Sequence, residues 1–146
     1  NGFNEKAAEL GYELVADTQY SNNEASVAAQ IISAQLQADP DLAGVFATNL
    51  FTAQGVATGV RQAGAEDVQV VGFDAGPDQV LQLQAGDVQA LVAQQPFTIG
   101  MMGIEQAVAA LTGGEITPEI QTESTVVTMD NIDDPEVAQF LYKSEC

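Results

Sequence analysis

The strongest constraint on this chain is a set of short, continuous apolar runs separated by segments of helical periodicity. The runs are residues 44–47 (GVFA), 68–73 (VQVVGF) and 88–93 (VQALVA). Each is too short for a stable helix and is flanked by turn-forming residues, which reads as a strand. Near-continuous apolarity suits strands covered on both faces. Between and around them lie helical segments. Residues 24–38 carry Val27, Ile31, Ile32 and Leu36 on one stripe and stop at Asp39-Pro40-Asp41. Residues 50–63 place Gly55 and Gly59 four apart on one face, where a helix can approach a sheet closely, and stop at Gly64. Residues 77–85 stop at Gly86, and residues 98–112, with Met102, Ala107, Val108 and Leu111 facing inward, stop at Gly113-Gly114.

The flanks extend the alternation. Residues 3–10 read as a helix ending at Gly11, residues 12–17 (YELVAD) as a strand, and residues 126–129 as a last strand. Asp134-Pro135-Glu136 is a helix start, with Asp as N-cap and Pro at the first helical position, leading into Val137, Phe140 and Leu141. Alternating strands and helices of this length predict an α/β fold: a three-layer αβα, doubly wound parallel sheet with right-handed crossovers, formed by residues 1–146 as one lobe. The chain opens on a helix, whereas such a sheet usually opens on a strand, so the first strand of the lobe is expected upstream. The start at Asn1-Gly2-Phe3, with neither an initiator Met nor a leader pattern, reads as a processed, truncated or proteolysed product.

Composition narrows the function. Three Lys and Arg stand against 21 Asp and Glu, a formal net charge of −18. That surface repels nucleic acid and anionic lipid and disfavours anionic substrates, leaving a neutral ligand as the best fit. The available cations, Lys6, Arg61 and Lys143, all read as solvated helix positions. The acidity also serves solubility. There is no His, which removes the usual general base and a common metal ligand. Cys146 stands alone at the end, either paired with a cysteine in an upstream segment or free. No GxSxG, GxGxxG or GxxxxGK[ST] pattern occurs. Asp130, Asp133 and Asp134 lack the spacing of a calcium loop and read as a turn and a cap. No metal or cofactor is expected.

In an open parallel α/β sheet, ligands bind beyond the carboxyl ends of the strands. Thr48 and Asn49 follow the first run, Asp74 the second and Gln94 the third. Thr18, Gln19 and Tyr20, then Asn22 and Asn23, follow the YELVAD segment. Asn and Gln both donate and accept hydrogen bonds, while Asp accepts. A sugar hydroxyl does both, so this ring matches a polyol. Phe51, Tyr20 or Phe97 would offer a stacking surface to the apolar face of a sugar. Each polar residue also has a local alternative. Asn49 can cap the helix at 50–63, Asp74 the helix beginning near Pro77, and Gln94 can satisfy backbone where the chain turns before Pro96.

At these strand ends the sequence resembles the type I periplasmic binding proteins of the ribose-binding group. The matching stretches are Pro40-Asp41-Leu42-Ala43-Gly44-Val45-Phe46-Ala47-Thr48-Asn49, Val70-Val71-Gly72-Phe73-Asp74, and Val92-Ala93-Gln94-Gln95-Pro96 followed by Gly100. Their order and spacing match over essentially the whole chain. The resemblance implies that Asn49, Asp74 and Gln94 hydrogen-bond sugar hydroxyls, and it points more loosely to Asn23 or Tyr20. That family often has Asp directly after the Asn. Here Leu50-Phe51 follow, so the identity of the sugar does not carry over. An Arg that the family uses just before the opening Gly-Phe lies outside this sequence.

The resemblance further implies two lobes closing on a sugar, of which this chain supplies most of the C-terminal one. Residues 95–124 would cross the hinge and pack on an N-terminal lobe that is missing here. The expected function is the solute-binding component of an ABC-type sugar importer. It would be periplasmic or extracellular, with a lipid anchor on an upstream segment as one form, and would present a monosaccharide or polyol to a membrane permease. Two other classes compete. One is the effector-binding domain of a lactose-repressor-type regulator, which would need a DNA-binding head. The other is an enzyme on a flavodoxin-like scaffold, which would need a cofactor.

Overall fold

The computed structural model describes residues 2–143, so Cys146 lies outside the described residues. The elements in chain order are α1 (Gly2–Glu9), α2 (Ala25–Ala38), β1 (Gly44–Ala47), α3 (Leu50–Ala63), β2 (Gln69–Phe73), α4 (Pro77–Ala85), β3 (Ala90–Gln94), α5 (Pro96–Thr112), β4 (Ser124–Val127) and α6 (Pro135–Ala138). The α/β class holds, with one four-stranded sheet in the order β1-β2-β3-β4 flanked by helices. β1, β2 and β3 are parallel, and β4 pairs antiparallel to β3. An antiparallel edge on an otherwise parallel sheet is common.

Local chemistry sets the helix ends. Gly11, Gly64, Gly86 and Gly113 all adopt positive φ just past their helices, where a side chain would be strained. The Asp134 carboxylate accepts from the Glu136 N–H at 2.9 Å and opens α6. α4 opens at Gly76, whose N–H donates to Gln79 Oε1 at 2.9 Å. Gln79 is fully buried, and its Nε2 donates to the Phe73 carbonyl at 2.8 Å. A buried amide satisfied at both ends ties the start of α4 to the end of β2.

The two faces of the sheet differ. Ala47, Gly72, Leu91 and Val127 form one cross-strand row, and Val45 and Val70 pair in the same orientation. α3 lies across β1 and β2 on this side, with Ala53 against Gly72, and α4 covers β3. Leu83, Leu91, Val70, Val88 and Val127 are among the largest fully buried side chains. Burying each one stabilises the fold by roughly 1.5–3 kcal/mol. On the opposite face Phe46, Val71, Phe73 and Val92 are only half-buried, and Val126 is exposed. α1 reaches that face through Phe3, whose ring stacks on Phe46 at 5.4 Å between centroids. Coverage on both sides, expected from the apolar runs, is therefore complete on one side only among the described residues.

Four expectations need correction. Residues 12–17 form no strand: the segment joins no ladder, and Tyr12, Leu14 and Val15 are exposed. A strand exists only where a neighbour takes its N–H and C=O groups. The last strand is Ser124–Val127, earlier than residues 126–129. The Asn131 amide explains the stop: it accepts from Thr128 N at 2.7 Å and donates to the Val126 carbonyl at 2.9 Å, closing a turn. Gly55 and Gly59 serve a helix contact, since a Cβ on them would meet Ala25 O at 2.1 Å and Ile32 Cγ2 at 2.4 Å, both on α2. Finally, α5 buries no residue: Met102 is half-buried, while Ala107, Val108 and Leu111 are exposed. Only a stripe of Thr98, Met102, Gln106 and Ala109 is half-buried, with Gln106 accepting from Thr117 N at 2.8 Å, and most of its apolar face is exposed among the described residues.

The excursion that contains α5 has a defined geometry. The chain leaves the sheet at Gln94 and re-enters at Ser124, and these two residues are partners in the β3–β4 ladder. Residues 95–123 therefore depart from and return to one point on the carboxyl edge of the sheet.

Candidate functional site

That same edge gathers the strand-end polar residues. Asn49 is the N-cap of α3, with Oδ1 accepting from Thr52 N at 2.9 Å. The capping alternative is thus realised for Asn49, yet it uses one lone pair of Oδ1 and leaves the Nδ2 donors unbonded among the described residues. Asp74 follows β2 in a left-handed conformation, φ +74°. Asp tolerates that region better than most residues, but it is sparsely populated. The capping alternative fails for Asp74, because Gly76 occupies the cap of α4. The Asp74 carboxylate turns instead toward α3, where Oδ2 accepts from Leu50 N at 3.2 Å. An anion at a helix N-terminus is stabilised by the unsatisfied N–H groups and the helix dipole.

Gln94 ends β3 and donates from Nε2 to Asp74 Oδ1 at 3.1 Å, so it serves the carboxylate rather than the turn before Pro96. Asp74 N in turn donates to Val92 O at 2.9 Å, stitching the two strand ends together. Asp74 and Gln94 are thus bonded to each other, Asp74 reaches the backbone of Leu50 next to Asn49, and all three strand-end residues are half-buried. Part of their capacity remains open: Asn49 Nδ2, Gln94 Oε1 and part of Asp74 Oδ2. A surface with both donors and acceptors to spare suits a neutral polyhydroxy ligand.

The remaining candidates are placed less tightly. Asn22 and Asn23 both have positive φ and are exposed. Tyr20 is 78% exposed. The segment is anchored between them: Ser21 is buried, and its hydroxyl is 2.7 Å from that of Thr52 in the first turn of α3. Tyr20 and Asn23 therefore flank the N-terminus of α3, on the side of Asn49. Phe51, half-exposed in that first turn, and Phe97, 78% exposed at the start of α5, present free ring surface. Lys6 and Arg61 pair with Glu9 and Asp87 at the surface, away from this group. Two shallow concavities, one between β4 and α6 and one between α2 and α3, are lined by other residues. The cluster is an open edge, as one wall of a cleft would be.

Tyr142 was missed by sequence reasoning. Its hydroxyl donates to Asp74 Oδ1 at 2.7 Å and its N–H to Ala75 O at 3.0 Å. Burial, followed by the bond to Asp74 and the charge of that carboxylate, pushes the Tyr142 phenol up to about 12, while hydrogen bonds from Gln94 act weakly the other way. No local signal marks Tyr142, since it contacts Asp74 across 68 positions of sequence.

The sequence and the fold match known proteins. A family model described as a periplasmic binding protein domain matches residues 1–115, and the chain belongs to that family. The ribose import binding protein of Salmonella typhimurium is 31% identical over 126 residues, covering 86% of this chain and 42% of that protein. Among solved structures, an ABC transporter solute-binding protein from Agrobacterium vitis, bound with α-D-tagatopyranose, superposes with a TM-score of 0.90 at 41% identity. It covers 98% of this chain and 48% of the other. A carbohydrate transporter solute-binding protein from Agrobacterium radiobacter, in complex with D-arabinose, gives a TM-score of 0.88 at 30% identity, covering 97% and 48%. This chain thus spans less than half the length of these relatives.

Proposed function

We propose that this chain forms most of one lobe of a solute-binding protein for an ABC-type sugar importer. The ligand is a monosaccharide or polyol held in an interlobe cleft by Asn49, Asp74 and Gln94. Tyr20, Asn23 and Phe51 lie at the rim. The observation that carries the reading is the convergence of Asn49, Asp74 and Gln94 at the carboxyl edge of the sheet with donors and acceptors left open. The excess negative charge of the chain, −18 overall, favours a neutral ligand over a phosphorylated one, although Lys143 follows directly on Tyr142 beside Asp74.

The paired departure and return at Gln94 and Ser124 supports a hinge. Residues 95–124 cross to an N-terminal lobe and cover it with the apolar face of α5, and ligand favours the closed arrangement of the two lobes. Delivery to a permease, a periplasmic or extracellular location and the absence of catalysis follow from the same reading. A lactose-repressor-type regulator shares the fold, but the import proteins named above match most of this chain at higher identity than the fold alone requires.

A thermal-shift screen of the natural full-length protein against pentoses, hexoses, ketohexoses, deoxy sugars and pentitols tests this. A ligand at a hundred times its dissociation constant adds roughly 2.7 kcal/mol of stability. A shift with one sugar supports the reading and names the substrate. A flat screen on a folded two-lobe protein overturns it.

A further inference from the structure

The carboxylate of Asp74 is more fully engaged than a ligand-facing acid needs to be. Oδ1 accepts from Gln94 Nε2 at 3.1 Å and from Tyr142 OH at 2.7 Å, and Oδ2 accepts from Leu50 N at 3.2 Å. A carboxylate has about four lone-pair sites, two per oxygen. Both sites of Oδ1 are therefore occupied, and a single one remains on Oδ2. The three donors come from β3, from the tail after α6 and from the N-terminus of α3. They fix the carboxylate plane as well as its position.

Tyr142 is the donor that comes from furthest away in the chain. Its N–H to Ala75 O bond pins the tail beside Asp74, and the nearby Phe140 is buried in the core. The ring cannot leave without peeling that tail away. The 2.7 Å separation is in the range of a charge-assisted bond from hydroxyl to carboxylate. A phenol that ionises only near pH 12 stays a donor throughout the physiological range.

The geometry points to Tyr142 as a positioning residue for ligand recognition: its hydroxyl fills Oδ1 of Asp74, so that a bound polyhydroxy ligand meets one fixed acceptor, on Oδ2. This rests on the solute-binding reading above. One acceptor in a fixed direction selects for a hydroxyl of one configuration, whereas a rotating carboxylate accepts from either epimer. Tyr142 thus contributes to selectivity without touching the ligand.

Calorimetry on the natural full-length protein, with the sugar found in the screen and its epimers, tests the role. Tyr142→Phe keeps the ring and its packing and removes only the donor. Affinity for the best sugar is expected to fall about 5- to 10-fold, as for one lost hydrogen bond acting through a charged group. The ratio between best sugar and nearest epimer is expected to narrow. Asp74→Asn should weaken binding further. Adding Tyr142→Phe to Asp74→Asn should then cost little more, because Tyr142 acts through Asp74. Unchanged affinity and selectivity in Tyr142→Phe, or full additivity in the double variant, overturns the proposal. A wild-type protein that binds no sugar overturns the solute-binding reading itself. In that case an Asp74→Asn change that lowers the Tyr142 titration midpoint shows the bond to be structural only, which also overturns the positioning role.

Discussion

α3 and α5 are the two long helices that carry paired glycines, and the structure treats them oppositely. α3 buries Ala53, Gly55, Val56, Ala57, Gly59 and Val60, and its glycines lie against α2 so closely that a methyl group has no room. α5 holds more large apolar side chains, among them Phe97, Ile99, Met101, Ile104, Val108 and Leu111, and buries none. Gly100 and Gly103 have nothing within 4 Å of an added Cβ. The difference is one of partners, not composition. α3 is enclosed by α2, β1, β2 and α4, whereas α5 stands on an excursion with both ends at one corner of the sheet. An exposed apolar surface of this extent marks an interaction face.

The largest expected effect probes the enclosed helix. Gly55→Ala places a Cβ 2.1 Å from Ala25 O, so α2 must move. Overpacking of this kind is expected to destabilise the lobe by about 3 kcal/mol, read as a lower urea midpoint at unchanged slope. Gly100→Ala in the same protein sharpens the contrast. A gain of up to about 1 kcal/mol from helix propensity is expected if that face is open, and a loss if the second lobe packs directly on the glycine.

Next in size is Asp74→Ala. It orphans the donors of Leu50, Gln94 and Tyr142 and leaves a Cβ at positive φ, with an expected cost of about 2 kcal/mol and loss of sugar binding. Asp74→Gly relieves the backbone and not the carboxylate. Stability is therefore expected to recover in part while binding stays lost.

Leu111→Ala tests the unpartnered helix. At 87% exposure it should shift stability by no more than about 0.5 kcal/mol if the face is solvated. A loss above about 1 kcal/mol in the full-length protein is the expected result, because the proposed second lobe buries it. An unchanged value there would break the account of residues 95–124 as a hinge-crossing segment.

The smallest effect is on pH dependence. The folded Tyr142 phenol lies at about 12 against an ordinary 10, so the protonated form is favoured by folding. Its contribution is fully present below pH 10 and is lost as pH rises toward 12. Partial exposure screens it, so the decline is modest. Denaturant midpoints of wild type and Tyr142→Phe should converge across that window.

Much of this is legible in the sequence. α3 and α4 begin and end where Asn49, Gly64, Pro77 and Gly86 place them, because caps and stops act within a turn of chain. Asn49, Asp74 and Gln94 were found from one rule, that residues just past parallel strands share an edge, and β1, β2 and β3 put them there. Residues 12–17 misled because strand propensity says nothing about whether a neighbour is present.

The sequence by itself determined the alternation of elements, the helix boundaries and the polar character of the strand ends, since each depends on residues close in the chain. Tertiary structure alone decided that Gly55 and Gly59 face a helix, that β4 runs antiparallel, that α5 buries no residue among those described and that Tyr142 reaches Asp74. Each of those is a contact between distant positions. Such contacts are chosen by which surfaces can exclude water together, and apolar periodicity shows that a face seeks cover without showing what covers it.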